Sequence, residues 1–244
     1  MFLKRALSKN KKAELTTQQI IMITIIIISF VVLLYFLFRL NPGETSSKQI
    51  CYNSVILADK GSGLIGSLDC KTNYLTIVAD GKNETLKAIS DEMADCWWMF
   101  GQGKIDYVSS DISDKVSCSI CSIVSFDKKT NEKIGAISYS ELYDYLRTNQ
   151  KTASTSYLQY IYSVNSLDVF KEFPISNYLS KSIDTTKEYF ILTGMAKEGW
   201  LISSSIFSLN PFSLGNTPYP VVILEKTTEN YNAVGCEDFV TKAG

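Results

Sequence analysis

The 244-residue chain contains no histidine. That absence removes Ser–His–Asp and Cys–His catalytic machines and leaves zinc without its usual nitrogen ligands. Cysteine is missing from the first fifty positions. Charge is missing altogether from residues 20–38, and no internal repeat runs through the rest.

The uncharged stretch, IIMITIIIISFVVLLYFLF, organises the chain. At 1.5 Å per residue its nineteen residues form a helix of roughly 29 Å, the thickness of a bilayer's hydrocarbon. Thr24 and Ser29 can bond back to the helix's own carbonyls. Before and around the run stand Lys4, Arg5, Lys9, Lys11, Lys12 and Arg39 against Glu14, a net of +5, which leaves −6 for residues 41–244 of a chain with net charge −1. Basic residues beside a span stay on the cytoplasmic side. The expected organisation is therefore a cytoplasmic basic tail (1–19), a transmembrane helix (20–40), a polar linker (41–49) and an extracytoplasmic disulfide-containing domain (50–244). A cleaved secretory signal is the competing reading. The apolar run is too long for a signal core, and Leu40-Asn41-Pro42-Gly43 has no small-x-small cleavage site.

Cys51, Cys70, Cys96, Cys118, Cys121 and Cys236 all follow the span. An even number confined to one side predicts disulfides in an oxidising compartment. Fifteen full pairings are open; Cys70 with Cys236 is one candidate, since each flanks a strand-like run. Cys118-Ser119-Ile120-Cys121 is a C-x-x-C. A redox site places that motif at a helix start, where the thiol pKa falls. Here SIVSFDK follows, which reads as a strand. Each cysteine is expected to pair with a distant partner; the alternative is an exported thiol–disulfide oxidoreductase.

Other motifs carry less. Gly61-Ser62-Gly63-Leu64-Ile65-Gly66 spells G-x-G-x-x-G, but a strand rather than a helix follows it. Ser125-Phe126-Asp127-Lys128 spells S-x-x-K, but it ends a strand and enters a loop at 129–131, whereas a Ser–Lys pair needs one helix. Asp106, Asp111 and Asp114 lack the spacing of a calcium loop. Asp91, Glu92 and Asp95 fall on what should be the wet face of a helix. No catalytic residue, metal site or cofactor is expected. Asn83-Glu84-Thr85 is an N-glycosylation sequon.

The periodicities predict an α+β fold: a mostly antiparallel sheet covered by two or three helices. Leu86, Ile89, Met93, Cys96, Trp97 and Phe100 mark an amphipathic helix over 85–100, capped by Gly101 or Gly103, with Trp98 off the main stripe as a docking candidate. Ser138 and Glu141 have capping-box spacing for the helix SELYDYLRTN. Residues 157–164 and 166–173 suggest further helices, and 74–79, 188–194, 200–207, 221–226 and 235–240 suggest strands. The runs 188–194 and 200–207 should form a hairpin. Residues 50–57 fit helix or strand equally.

Lys11-Lys12-Ala13 before Glu14-Leu15-Thr16-Thr17-Gln18-Gln19 and a long apolar helix resembles the class III signal of archaeal type IV pilin-like proteins. The resemblance implies cleavage between Ala13 and Glu14, with the apolar helix kept for a filament core. Ala13 stands where that family more often has Gly. QICYNSVIL, LDCKTNYL and AISDEMADCWWMFGQGKIDY resemble single-pass membrane proteins of small-genome archaea; no activity comes with that likeness. Together these readings predict a membrane-anchored structural or surface-interaction protein. Its partners would be the lipid bilayer and other membrane or surface proteins, met through the transmembrane helix or exposed aromatics, and not nucleic acid.

Overall fold

The structure, a computed structural model, describes residues 17–39, 42–60, 68–108, 116–165, 181–196, 217–234 and 236–242. The chain divides into two compact units, Met1–Thr45 and Ser46–Gly244.

The first unit is dominated by helix α1 (Thr17–Arg39). Its window Gln19–Phe36 is long and apolar enough to cross a membrane, and none of it is buried. Thr24 satisfies its hydroxyl by donating to the carbonyl of Ile20 at 2.8 Å. Helix α2 (Pro42–Lys60) follows. Residues 42–49, expected as a linker, are thus helical. Proline suits a helix's first turn because the missing N–H would have had no partner there. The helix also takes in residues 50–57, burying Cys51 and Val55 in the second unit.

In that unit strand β1 (Asn73–Ile77) falls within the run 74–79 expected as a strand; along this stretch Tyr74 and Val78 are exposed, Ile77 and Ala79 buried. Helix α3 (Lys82–Met99) buries Leu86, Ile89, Met93, Cys96 and Trp97. Strand β2 (Val116–Phe126) is followed by α4 (Lys128–Ile134), a helix where a loop was expected. Asp127 starts it by accepting from the backbone N–H groups of Lys129 and Thr130. Strand β3 (Ala136–Ser138) leads into α5 (Tyr139–Thr148), which carries the predicted capping box of Ser138 and Glu141. The hairpin of β4 (Gln150–Thr152) and β5 (Thr155–Ser156) enters α6 (Tyr157–Tyr162). Then come β6 (Ser182–Asp184), β7 (Tyr189–Ala196), β8 (Thr217–Glu225), α7 (Thr228–Ala233) and β9 (Cys236–Phe239).

The main sheet runs β1-β2-β7-β8. Strand β7 lies antiparallel to β2 on one edge and to β8 on the other. The expected hairpin partner at residues 200–207 lies outside the described set, as do residues 166–173. On the far edge of β2, β1 and β9 lie end to end, both parallel to it. Four of the six described strand pairings are antiparallel, in keeping with the mostly antiparallel α+β expectation.

Both faces of this sheet are covered. Ile191, Val221 and Ile223 turn into the large core shared with α3, α5 and α6. Leu192, Val222 and Leu224 turn the other way, onto Val234 and the Cys118–Cys236 pair.

Candidate functional site

Disulfides fix the elements around the site. They join Cys51 to Cys70, Cys96 to Cys121 and Cys118 to Cys236, with Cα–Cα separations of 4.4, 5.5 and 5.5 Å. The expected Cys70–Cys236 bond is replaced for two reasons. Helix α2 places Cys51 against Cys70, and the parallel docking of β9 on β2 pairs Val116 with Cys236, beside Cys118. The two cysteines of the C-x-x-C bond to different partners. Residues three apart on a strand point to opposite faces, so Cys121 meets α3 while Cys118 sits in the second core. Both are buried.

The three carboxylates of α3 are not a bare wet face. Glu92 is buried at 4 % exposure. Its Oε2 accepts from Nζ of Lys48 on α2 at 2.8 Å, and the same Nζ lies 3.1 Å from Asp95 Oδ2. Burial works to lower the Lys48 pKa, but Glu92 and Asp95 override it and hold the ammonium above its ordinary value. Asp91 accepts from Tyr157 Oη at 2.6 Å and from Lys87 at 2.5 Å. Burial would raise the Asp91 carboxyl, yet these donors hold it below the usual range. Charge is thus neutralised locally, and the cluster ties α2, α3 and α6 together. Trp98, the docking candidate, is covered by Tyr52 of α2, its ring stacked at 4.4 Å between centroids and 12° between planes.

A polar cleft of about 340 Å³ opens beside this cluster. One wall is a left-handed turn after α3: Gly101, Gln102 and Gly103 have φ of 72°, 58° and 68°. The glycines are required. A Cβ on Gly103 would stand 2.8 Å from the outer indole carbon of Trp97. Gln102, which has a side chain, carries the strain. The other wall is β5 and α6, contributing Thr155, Gln159 and Tyr160. Ser163, at the end of α6, has φ 58°. Gln102 and Ser163 are the two non-glycine residues with positive φ among the described residues, and both line this cleft.

A directed chain of hydrogen bonds crosses it. Lys104 Nζ donates to Gln102 Oε1 at 3.2 Å, and Gln102 Nε2 donates to Tyr160 Oη at 2.7 Å. Burial pushes the Tyr160 hydroxyl pKa up, so it keeps its proton. Sequence reading missed this site. Its signal was the Gly101-Gln102-Gly103 spacing, taken as a helix cap alone.

The remaining expectations fall elsewhere. Asn83 is exposed in the first turn of α3, while the sequon's Thr85 is buried and donates to the Gly81 carbonyl at 3.1 Å. Ser125 lies next to the last residue of β2 and Lys128 starts α4 with its side chain 91 % exposed, so the two share no helix. Ala13, Glu14, the glycines at 61, 63 and 66, and Asp111 and Asp114 lie outside the described residues. Among the described residues no cluster of three His, Cys, Asp or Glu could hold a metal ion. No protein family, curated protein or solved structure matches the chain.

Proposed function

We propose that this chain is a membrane-anchored surface-interaction protein, with its basic tail in the cytoplasm and its disulfide-bearing unit outside. One contrast carries the reading: an uncovered apolar helix in the first unit, and three disulfides in the second. Apolar surface of that length gains by entering lipid. Disulfides persist in oxidising compartments. Basic residues at 4, 5, 9, 11 and 12 favour a cytoplasmic tail. In the pilin-like version of this reading, a peptidase cuts between Ala13 and Glu14 and the protein serves as a structural subunit.

Intact-mass measurement on protein purified from membranes tests the reading. Resistance to alkaline extraction, with a mass six hydrogens below the fully reduced chain, supports an anchored and oxidised protein. Release by alkali, or six alkylatable thiols in the native protein, contradicts it. A retained residue 1–13 tail removes the pilin-like version and leaves the anchor.

A further inference from the structure

We propose that the cleft between the left-handed turn and α6 binds a carboxylate group, carried by a small organic acid or by a free peptide C-terminus. Hydrogen-bond direction is the reason. Gln102 Oε1 is occupied by Lys104, and Gln102 Nε2 is spent on the Tyr160 oxygen. Each acceptor along that chain is therefore engaged. What that chain still offers is the Tyr160 O–H, the second Gln102 Nε2 proton and the other protons of the Lys104 ammonium, all donors; the Thr155 and Ser163 hydroxyls and the Gln159 amide beside them can donate as well as accept. Among the described residues no acidic side chain lines the cleft, and Lys104 is its charged residue. An ionised acceptor meeting a hydroxyl and an ammonium forms the stronger, charge-assisted kind of hydrogen bond. A neutral sugar would leave the Lys104 ammonium without a counter-charge.

The backbone supplies an independent argument. Gln102 and Ser163 are both held in left-handed conformations at the rim. Such conformations cost energy at a non-glycine residue and persist where the surroundings enforce them, commonly at binding sites. Here the enforcement is visible. The turn is clamped over Trp97, where a side chain on Gly103 has no room, and closed by the Lys104 N–H donating to the Gly101 carbonyl at 3.0 Å. The result is a preorganised Gln102 amide that aims the Tyr160 hydroxyl. The rings of Trp97 and Tyr160 give the carbon stem of the ligand an apolar contact.

This deepens the reading of the second unit as an interaction module without depending on membrane topology. A failed titration leaves the anchor untouched, and an inverted topology leaves a positive titration standing. The experiment is calorimetric titration of the full chain in detergent with four probes: succinate, an acetylated tetra-alanine peptide, its C-terminal amide, and maltose. Saturable binding of succinate or of the free-acid peptide supports the proposal. Succinate binding identifies a small acid as sufficient; binding of the peptide alone identifies a chain terminus. Tyr160→Phe keeps the ring, loses the donor, and should weaken binding about tenfold or more. Lys104→Ala, on an exposed residue, should do the same and carries the test if Tyr160→Phe does not fold. Binding of the amide equal to the acid, binding of maltose instead, no saturable response to either carboxylate, or folded variants that bind as tightly as the parent would each overturn it.

Discussion

Lys48 and Glu92 form an ion pair at 2.8 Å between α2 and α3, with side-chain exposures of 14 % and 5 %. The second carboxylate oxygen of Glu92 makes no hydrogen bond among the described residues. The lysine is thus the main compensation for a charge removed from water. Removing one partner of a buried pair strands the other. Lys48→Met is predicted to destabilise the protein by about 3 kcal/mol, and Lys48→Met with Glu92→Leu to recover most of that loss. Denaturant melts of the single and double variants check this. A single variant within experimental error of the parent refutes the buried-pair account.

The Cys118–Cys236 bond closes a separation of 118 residues, against 19 for Cys51–Cys70 and 25 for Cys96–Cys121. If chain entropy dominates, replacing the long-range pair by alanines costs about 5 kcal/mol and either short-range pair about 3. Chemical unfolding of the three double variants gives the order directly. Equal losses would show that local packing, rather than loop length, sets the values.

Gly194 on β7 faces the backbone of β2: a Cβ there would stand 2.5 Å from the Ser117 carbonyl oxygen. Backbone cannot swing aside as a side-chain tip can. Gly194→Ala is predicted to lower stability by about 2 kcal/mol, read as a shift in the urea midpoint. Gly135, whose Cβ would meet nothing within 4 Å but whose φ is +68°, separates the two mechanisms. Its alanine variant should lose only about 1 kcal/mol, from backbone strain alone.

Acid should weaken the α5 cap. Lys82, then the Ser138 N–H and hydroxyl, hold the Glu141 carboxyl down at about 2, from an ordinary 4.5. Between those values the unfolded chain binds the proton and the folded one does not, so stability falls as pH falls through that window. Glu141→Gln removes this contribution. The parent's melting temperature should drop more steeply than the variant's between pH 4.5 and 2. Added salt should shrink the difference, because Lys82 and Glu141 are 45 % and 44 % exposed. Parallel profiles contradict the assignment.

Local features were legible in the sequence. The stripe from Leu86 to Phe100 gave α3, Ser138 with Glu141 gave the start of α5, and the run 74–79 gave β1. The separate fates of Cys118 and Cys121 followed from reading a strand there. What failed depended on distant partners. Docking of β9 beside β1 on one edge of β2 brings residues more than a hundred positions apart together, and no local pattern encodes it. Glu92 reads as wet-face decoration from the sequence because the periodicity of residues 42–57 does not show the helix that buries it. The cleft stayed hidden because it joins a turn after α3 to a helix some sixty residues later, and only the left-handed backbone of Gln102 and Ser163 distinguishes it.

Orientation across the membrane is tested most directly by adding protease to intact cells and probing the fragments with antibodies to the C-terminal domain and to the basic tail. The account predicts that the domain epitope is shaved or shifted to a released fragment while the tail stays protected until the cells are opened. A domain untouched on whole cells yet digested in lysed ones would contradict it.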